Sequence, residues 1–386
     1  MGLTFFSLLL TSCSGEKNQS IISVDTEVTH NGILAQNIEI KEVINLSDSI
    51  SVGKINKILL SGSNFIVWDK SDDKIICFND EGKINYVVAS KGRGPHEYTG
   101  ISNIFLSNED KSFNIISLDK KRLRYSIASG TLQEICQIDQ PTMMINDATL
   151  LPDSSIAISI LGPHHNIAIC SRGESRHMIP FNTIRDFSFM EKAFCHNGTD
   201  MLFIHGMDNN IYKIDSDTAT VKYEVNFKGR EIANSEYENK SQKELDAIFK
   251  SRRVATKMDN LYACPNYISF SYWLMEPGGD IKTCYALHNI KEGKTYNIAP
   301  QSNYLSAEEI TEGTTERTTE RTTEGTAQGT ADLTDLFPIR ESINGNFVSA
   351  VPADAAIIAH HTKKAGITFE SNPALVIWTF TSANFQ

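Results

Sequence analysis

The stretch Asn64–Ile84, NFIVWDKSDDKIICFNDEGKI, decides the fold. Its apolar runs, Phe65–Trp68 and Ile75–Phe78, are too short for helices and are joined by a polar turn, so they read as antiparallel strands. Asp80-Glu81-Gly82-Lys83 then turns the chain into a third strand. Such a unit cannot bury both of its faces alone, which makes repetition the next thing to look for.

Equivalent runs occur at Ser112–Leu118, Ser155–Leu161, Met201–Gly206, Tyr267–Trp273 and Asn346–Val351, six with the first. The first four begin 43 to 48 residues apart, near the period of about 40 to 50 residues of propeller blades. Two longer intervals interrupt the series. The first holds Ser235–Arg253, where Ser241 and Glu244 fit a capping box and Leu245, Ile248 and Phe249 recur at helical spacing. It predicts one helix inserted at about 235–253. The second holds Thr311–Thr330, a Thr-Thr-Glu-Arg/Gly repeat with no apolar residue to bury, expected to be a disordered surface loop.

A ring of blades must be closed, because open strand edges invite pairing with other chains. Asn37–Leu46 alternates Ile38, Ile40 and Ile44 with polar neighbours, and Ala374–Phe380, ALVIWTF, is a strong terminal strand. These two are expected to complete one blade. The fold class is therefore all-β, a six-bladed propeller over 37–386.

The N-terminus carries an address. Leu3–Leu10 is apolar but too short to span a bilayer, and Leu10-Thr11-Ser12-Cys13 has the form of a bacterial lipobox, in which the Cys is acylated and becomes the mature N-terminus. Residues 1–12 are then a signal peptide, Cys13 the lipidation site, and 13–36 a lipidated tether. No Lys or Arg precedes Cys13, so the natural start is expected further upstream. The expected location is the cell envelope, as an outer-membrane lipoprotein held by its lipid alone.

Composition narrows the partners. A net charge of −11 argues against nucleic acid, whose binding draws on clustered cations. The six cysteines beyond Cys13 show no metal-ligand spacing, and several lie in apolar runs where Cys acts as a small hydrophobe. Cys264 and Cys284 form the most plausible disulfide, since a hairpin could join their segments. The aromatic group Tyr262, Tyr267, Phe270, Tyr272 and Trp273 could form a sugar platform, but its alternation reads as blade core.

Four segments carry a family resemblance: the lipobox, Asn64–Ile84, the motif Lys91–Gly100 (KGRGPHEYTG) and the ending Glu370–Phe380 (ESNPALVIWTF). The chain resembles the six-bladed propeller lipoproteins of gut-type Gram-negative bacteria, related in fold to NHL-repeat and TolB-like propellers. Gly92, Gly94, Pro95, Glu97 and Tyr98 match that family's G-x-G-P-G-E-Y pattern, with His96 in place of a Gly. The family's D-N-P reads Ser371-Asn372-Pro373 here. The resemblance implies a fold and an address and says little of a reaction.

The motif Lys91–Gly100 would lie where one blade returns to the channel. There Arg93 could hold an anion, His96 and Glu97 could move protons, and Tyr98 could stack on a ligand. Alternatively its glycines and proline shape a turn that Glu97 and Tyr98 anchor. His164-His165, His196, His205 and His360-His361 could supply metal ligands, but adjacent His residues on a strand point to opposite faces. No catalytic residue, metal site or cofactor is assigned, and no hydrolase elbow, phosphate loop or dinucleotide fingerprint stands in a supporting context. The expected function is a binding or interaction module whose partner is a glycan, a peptide or an envelope protein. The rival is a propeller lyase or hydrolase with a metal or an acid/base pair in the channel.

Overall fold

The computed structural model describes residues 20–31, 37–107, 111–139, 144–162, 164–171, 174–182, 185–186, 188–299, 304–305, 333–343, 345–352, 355 and 371–380. Cys13, the Thr/Glu-rich repeat at 311–330 and His360-His361 lie outside them. Two strands come first, β1 (Ser20–Ser23) and β2 (Ile38–Asn45), and neither pairs with its neighbour in sequence.

The first blade is β3 (Ile55–Ser61), β4 (Asn64–Asp69), β5 (Lys74–Phe78) and β6 (Ile84–Val88), a simple antiparallel meander. The second repeats it with β7 (Ile101–Leu106), β8 (Ser112–Ser117), β9 (Lys121–Ser126) and β10 (Leu132–Gln137). The third has β11 (Met144–Leu150), β12 (Ile156–Leu161), β13 (His165–Ser171) and β14 (Glu174–Pro180). The fourth has β15 (Phe194–Asn197), β16 (Asp200–Phe203), β17 (Asn210–Ile214) and β18 (Ala219–Asn226).

Two helices follow, α1 (Asn234–Asn239) and α2 (Gln242–Ser251). The inserted helix is present as α2, preceded by a shorter one. Glu244 accepts hydrogen bonds from the backbone N–H and the hydroxyl of Ser241, at 2.8 and 2.6 Å, which satisfies donors that a helix start leaves open. Leu245 is buried with Ile232, Tyr237 and Val254, fixing the insertion to the ring.

The fifth blade is β19 (Val254–Cys264), β20 (Tyr267–Met275), β21 (Ile281–Asn289) and β22 (Lys294–Ile298), with β23 (Tyr304–Leu305) added against β21. The sixth is β24 (Ile339–Ile343), β25 (Asn346–Val351) and β26 (Ala374–Phe380), and its outer strand is β2 from the other end of the chain. β2 and β26 pair antiparallel from Ile38 opposite Phe380 to Asn45 opposite Ala374. The expected closure is therefore what the ring uses.

The first strand of each blade is innermost, and these strands touch in the cycle β3, β7, β11, β15, β19, β24 and back to β3. The six apolar runs found in the sequence are the second strands. They are sandwiched between neighbouring blades and buried on both faces, as in β4 and β8, so they read as continuous apolar stretches. Apolar contact between blades, such as Leu59 and Trp68 of the first with Phe113 and Tyr125 of the second, makes the core.

Two departures matter. The expected tether is docked over Ser20–Asn31, because β1 adds to the outer edge of the fourth blade, parallel to β18, and this segment buries Ile22 and Val24. Cys264 and Cys284 are free thiols. They lie on strands separated by β20, opposite Tyr267 and Tyr272 respectively, so the hairpin holds them apart along its length.

Candidate functional site

Five of the six inner strands share a local distortion. Register shifts fall between Ile55 and Lys57, Ile101 and Asn103, Ile145 and Asp147, Thr256 and Asp259, and Ile339 and Glu341. A bulge re-aims the side chain beside it. The residues just past these bulges, Lys57, Asn103, Asp147, Asp259 and Glu341, with Lys192 ahead of β15, form a polar belt around the axis.

The belt is tightly bonded. Lys57 Nζ donates to Asn103 Oδ1 and Asp147 Oδ1, both at 3.0 Å. Asp147 Oδ2 accepts the amides of Ala193 and Phe194 at 2.8 and 2.9 Å. From the other side Asp259 accepts the amides of Glu191 and Lys192. Four consecutive amides ahead of and within β15 are thus held by two buried carboxylates from different blades. Full burial, together with the charge of Glu191, pushes Asp259 up to about 6. Lys257 and Asn260, which flank it, adopt left-handed backbone at φ 49° and 52°, a conformation non-glycine residues hold only where the surroundings impose it.

Towards the crossover face, where the chain passes from blade to blade, Glu191 meets Arg340 at 3.4 Å and Lys54 at 3.7 Å. Burial would raise its carboxyl, but these cations bring it below its ordinary value. Towards the opposite face the channel widens into a cavity of about 750 Å³. Each first hairpin contributes to its wall, through Gly62, Ser107, Pro152, Gly198, Pro265 and Gly345. Lys57, Asp147, Lys192 and Glu341 line it as well. Lys192 lies 3.5 Å from Glu341 and 3.8 Å over the Tyr262 ring. Burial pushes the Cys195 thiol in this wall up to about 12, which leaves it a weak nucleophile.

Over residues 42–379 the chain matches the family described as Domain of unknown function (DUF4934). It belongs to that family. Among solved structures this DUF4934 propeller is similar to a protein from Bacteroides fragilis NCTC 9343 described as exported. The TM-score is 0.68 and the identity 14%, covering 94% of this chain and 100% of the other. It is also similar to a member of the duf4221 family from Bacteroides vulgatus, with TM-score 0.49 and 9% identity over 90% and 99% of the two chains. No curated protein matches it.

In this DUF4934 chain Lys91–Gly100 joins β6 to β7 on the crossover face, so the length of β7 separates it from the cavity. Tyr98 is buried and donates its hydroxyl to Asp73 O at 2.8 Å. Glu97 folds back to accept the Gly94 amide at 2.7 Å and closes on Gly92, where a Cβ would sit 2.0 Å from its carboxylate. Both hold the loop, while Arg93 and His96 are exposed.

Among the described histidines, His164 and His196 are exposed and His165 stacks on His177. His205 is buried, with its ring nitrogens 3.3 Å from Asp186 and from Asp208, though off hydrogen-bond alignment. Arg185 donates twice to Asp186, and Tyr212 donates to Asp208 at 2.7 Å. Among the described residues no three His, Cys, Asp or Glu side chains converge in a metal-binding group.

The sequence had one signal for the belt. In the first five blades its polar residue falls seven to nine positions before the second strand begins.

Proposed function

We propose that the protein is an exported binding propeller whose cavity on the hairpin face receives a short peptide or a ligand of amino-acid type. The observation that carries this is the Lys192–Glu341 pair in the wall of a 750 Å³ cavity, a volume suited to small ligands. At 3.5 Å the pair is looser than Lys57–Asp147 at 3.0 Å. A ligand bearing both an ammonium and a carboxylate can replace each partner without leaving a buried charge alone. A glycan is favoured less, because it gains most from flat aromatic faces and, among the described residues, Phe105, Phe194 and the His196 ring are the aromatic groups in this wall.

Export and acylation at Cys13 belong to the same proposal, supported by the lipobox and by the exported description of the Bacteroides fragilis relative. The kinship with NHL and TolB-like lipoprotein propellers rests on the same motifs. Arg93 and His96, exposed on the crossover face, are our candidates for contact with an envelope protein.

Peptide and glycan arrays probed with the full chain test the reading. We expect peptide hits whose affinity falls about tenfold or more in Lys192→Met and in Glu341→Gln, a loss of about 1.4 kcal/mol. Arg93→Ala with His96→Ala should leave these hits intact and weaken capture of an envelope protein. Peptide binding indifferent to Lys192 and Glu341 would reject the cavity.

A further inference from the structure

Five large apolar side chains are exposed among the described residues, and three of them, Ile21, Val28 and Val221, share one stretch of rim. That stretch is the outer edge of the fourth blade and the N-terminal segment laid over it. Ser20 lies opposite Tyr223 and Ser23 opposite Asn226, and Val24 donates its amide to Asn226 O. The segment then crosses to the fifth blade, where Asn297 Nδ2 donates to Asp25 O and Val28 O and His30 donates its amide to Asn297 O.

The chain is therefore fixed to the body from Ser20 onward, and anything attached further upstream is leashed to this rim. The cations nearby already have partners. Lys213 and Lys222 share Asp200, Lys228 pairs with Asp25, and Arg230 and Arg253 pair with Glu27. These pairs, with exposed Glu224 opposite Ile21, leave the rim close to neutral around its three exposed apolar side chains.

We propose that in the acylated protein the outer edge of the fourth blade is the face turned to the lipid bilayer, seated by Ile21, Val28 and Val221. The channel axis then lies along the membrane, and both mouths open to water. The proposal rests on the reading of Cys13 as the lipid anchor. Seven residue steps separate Cys13 from Ser20, a reach of about 25 Å when fully extended. A propeller of this length is about 50 Å across, so the leash does not allow the body to roll onto its opposite rim.

The test uses the full acylated chain on neutral phosphatidylcholine vesicles that carry a lipid-borne energy-transfer acceptor. Donor dyes are placed through Ile21→Cys or, across the ring on the first blade, Lys83→Cys, in a background with Cys136 and Cys170 replaced by Ser. Transfer from position 21 should exceed that from position 83 by about twofold or more, as distances set by the short leash require. The difference should persist in high salt. It should vanish when a long Gly/Ser spacer follows Cys13 and both Val28 and Val221 become Ser in the same dye-bearing chains. Equal transfer from both positions in protein that floats with the vesicles overturns the orientation. Finding Cys13 unacylated in protein recovered from its native membrane overturns the anchor reading instead.

Discussion

Lys57 and Asp147 stand 3.0 Å apart on inner strands two blades removed from each other, and both are almost fully buried. Asn103, from the blade between, accepts a second bond from the same ammonium. Burial lowers the pKa of Lys57, against the pull of Asp147 in the other direction. The pair is costly to desolvate and costly to break, and its value lies in fixing three blades to one another.

Lys57→Met strands Asp147 with its amide partners alone and should cost about 3–5 kcal/mol, read as a shift of the urea unfolding midpoint. Asp147→Leu should cost more, because the amides of Ala193 and Phe194 also lose their acceptor, at about 1–3 kcal/mol for each orphaned group. A loss below about 1 kcal/mol for Lys57→Met would mean that the amides alone hold Asp147.

Stability should decline on the alkaline side through His205. Burial alone would depress this imidazole, but Asp186 and Asp208 outweigh it and hold its pKa above the ordinary 6.5. With His205 charged, Arg185 and His205 balance the two carboxylates. The stabilisation is complete below the unfolded value of about 6.5 and fades as pH rises through the folded one. His205→Gln should be less stable than the parent at pH 6 and should flatten the fall in melting temperature above it. The same slope in both proteins would remove His205 as its source.

Ring closure should be sensitive at Asn372. Its Oδ1 accepts the Val52 amide at 2.8 Å, while Nδ2 donates to Ser47 O and Ile50 O at 2.8 and 2.7 Å. Asn372→Ala removes all three bonds and should cost about 2–4 kcal/mol. Nearby, Trp378 is fully buried against Phe337, Phe347 and Phe380, and Trp378→Ala should cost about 3–5 kcal/mol. Limited proteolysis of either variant should cut first in the sixth blade. An uncut sixth blade in the Trp378 variant would place the weak point elsewhere.

The second strands were legible in the sequence because burial on both faces makes them continuous apolar runs. The inner strands were hidden for the opposite reason. Asn56-Lys57, Ser102-Asn103, Asn146-Asp147 and Arg340-Glu341 look like turn residues, and the bulges that place them in the channel break the alternation by which a strand is recognised. Closure by Asn37–Leu46 and Ala374–Phe380 was legible because both are strongly patterned and neither has a partner nearby. The cavity was not, since its wall is shared by residues from all six blades, and the seven-to-nine-residue offset of the belt positions in the first five shows only once the second strands are placed. Of the residues expected at a site, the KGRGPHEYTG motif revealed its glycine-shaped turn, yet nothing in it pointed to the face on which the cavity opens.

The pairing of β1 with β18 and of β2 with β26 sets an order of assembly. β1 and β2 have no sheet to join until the fourth and sixth blades exist. Each must therefore stay unpaired while much of the ring is made, β1 until β18 is in place and β2 until β26 is, which leaves the shared sixth blade the last to be completed.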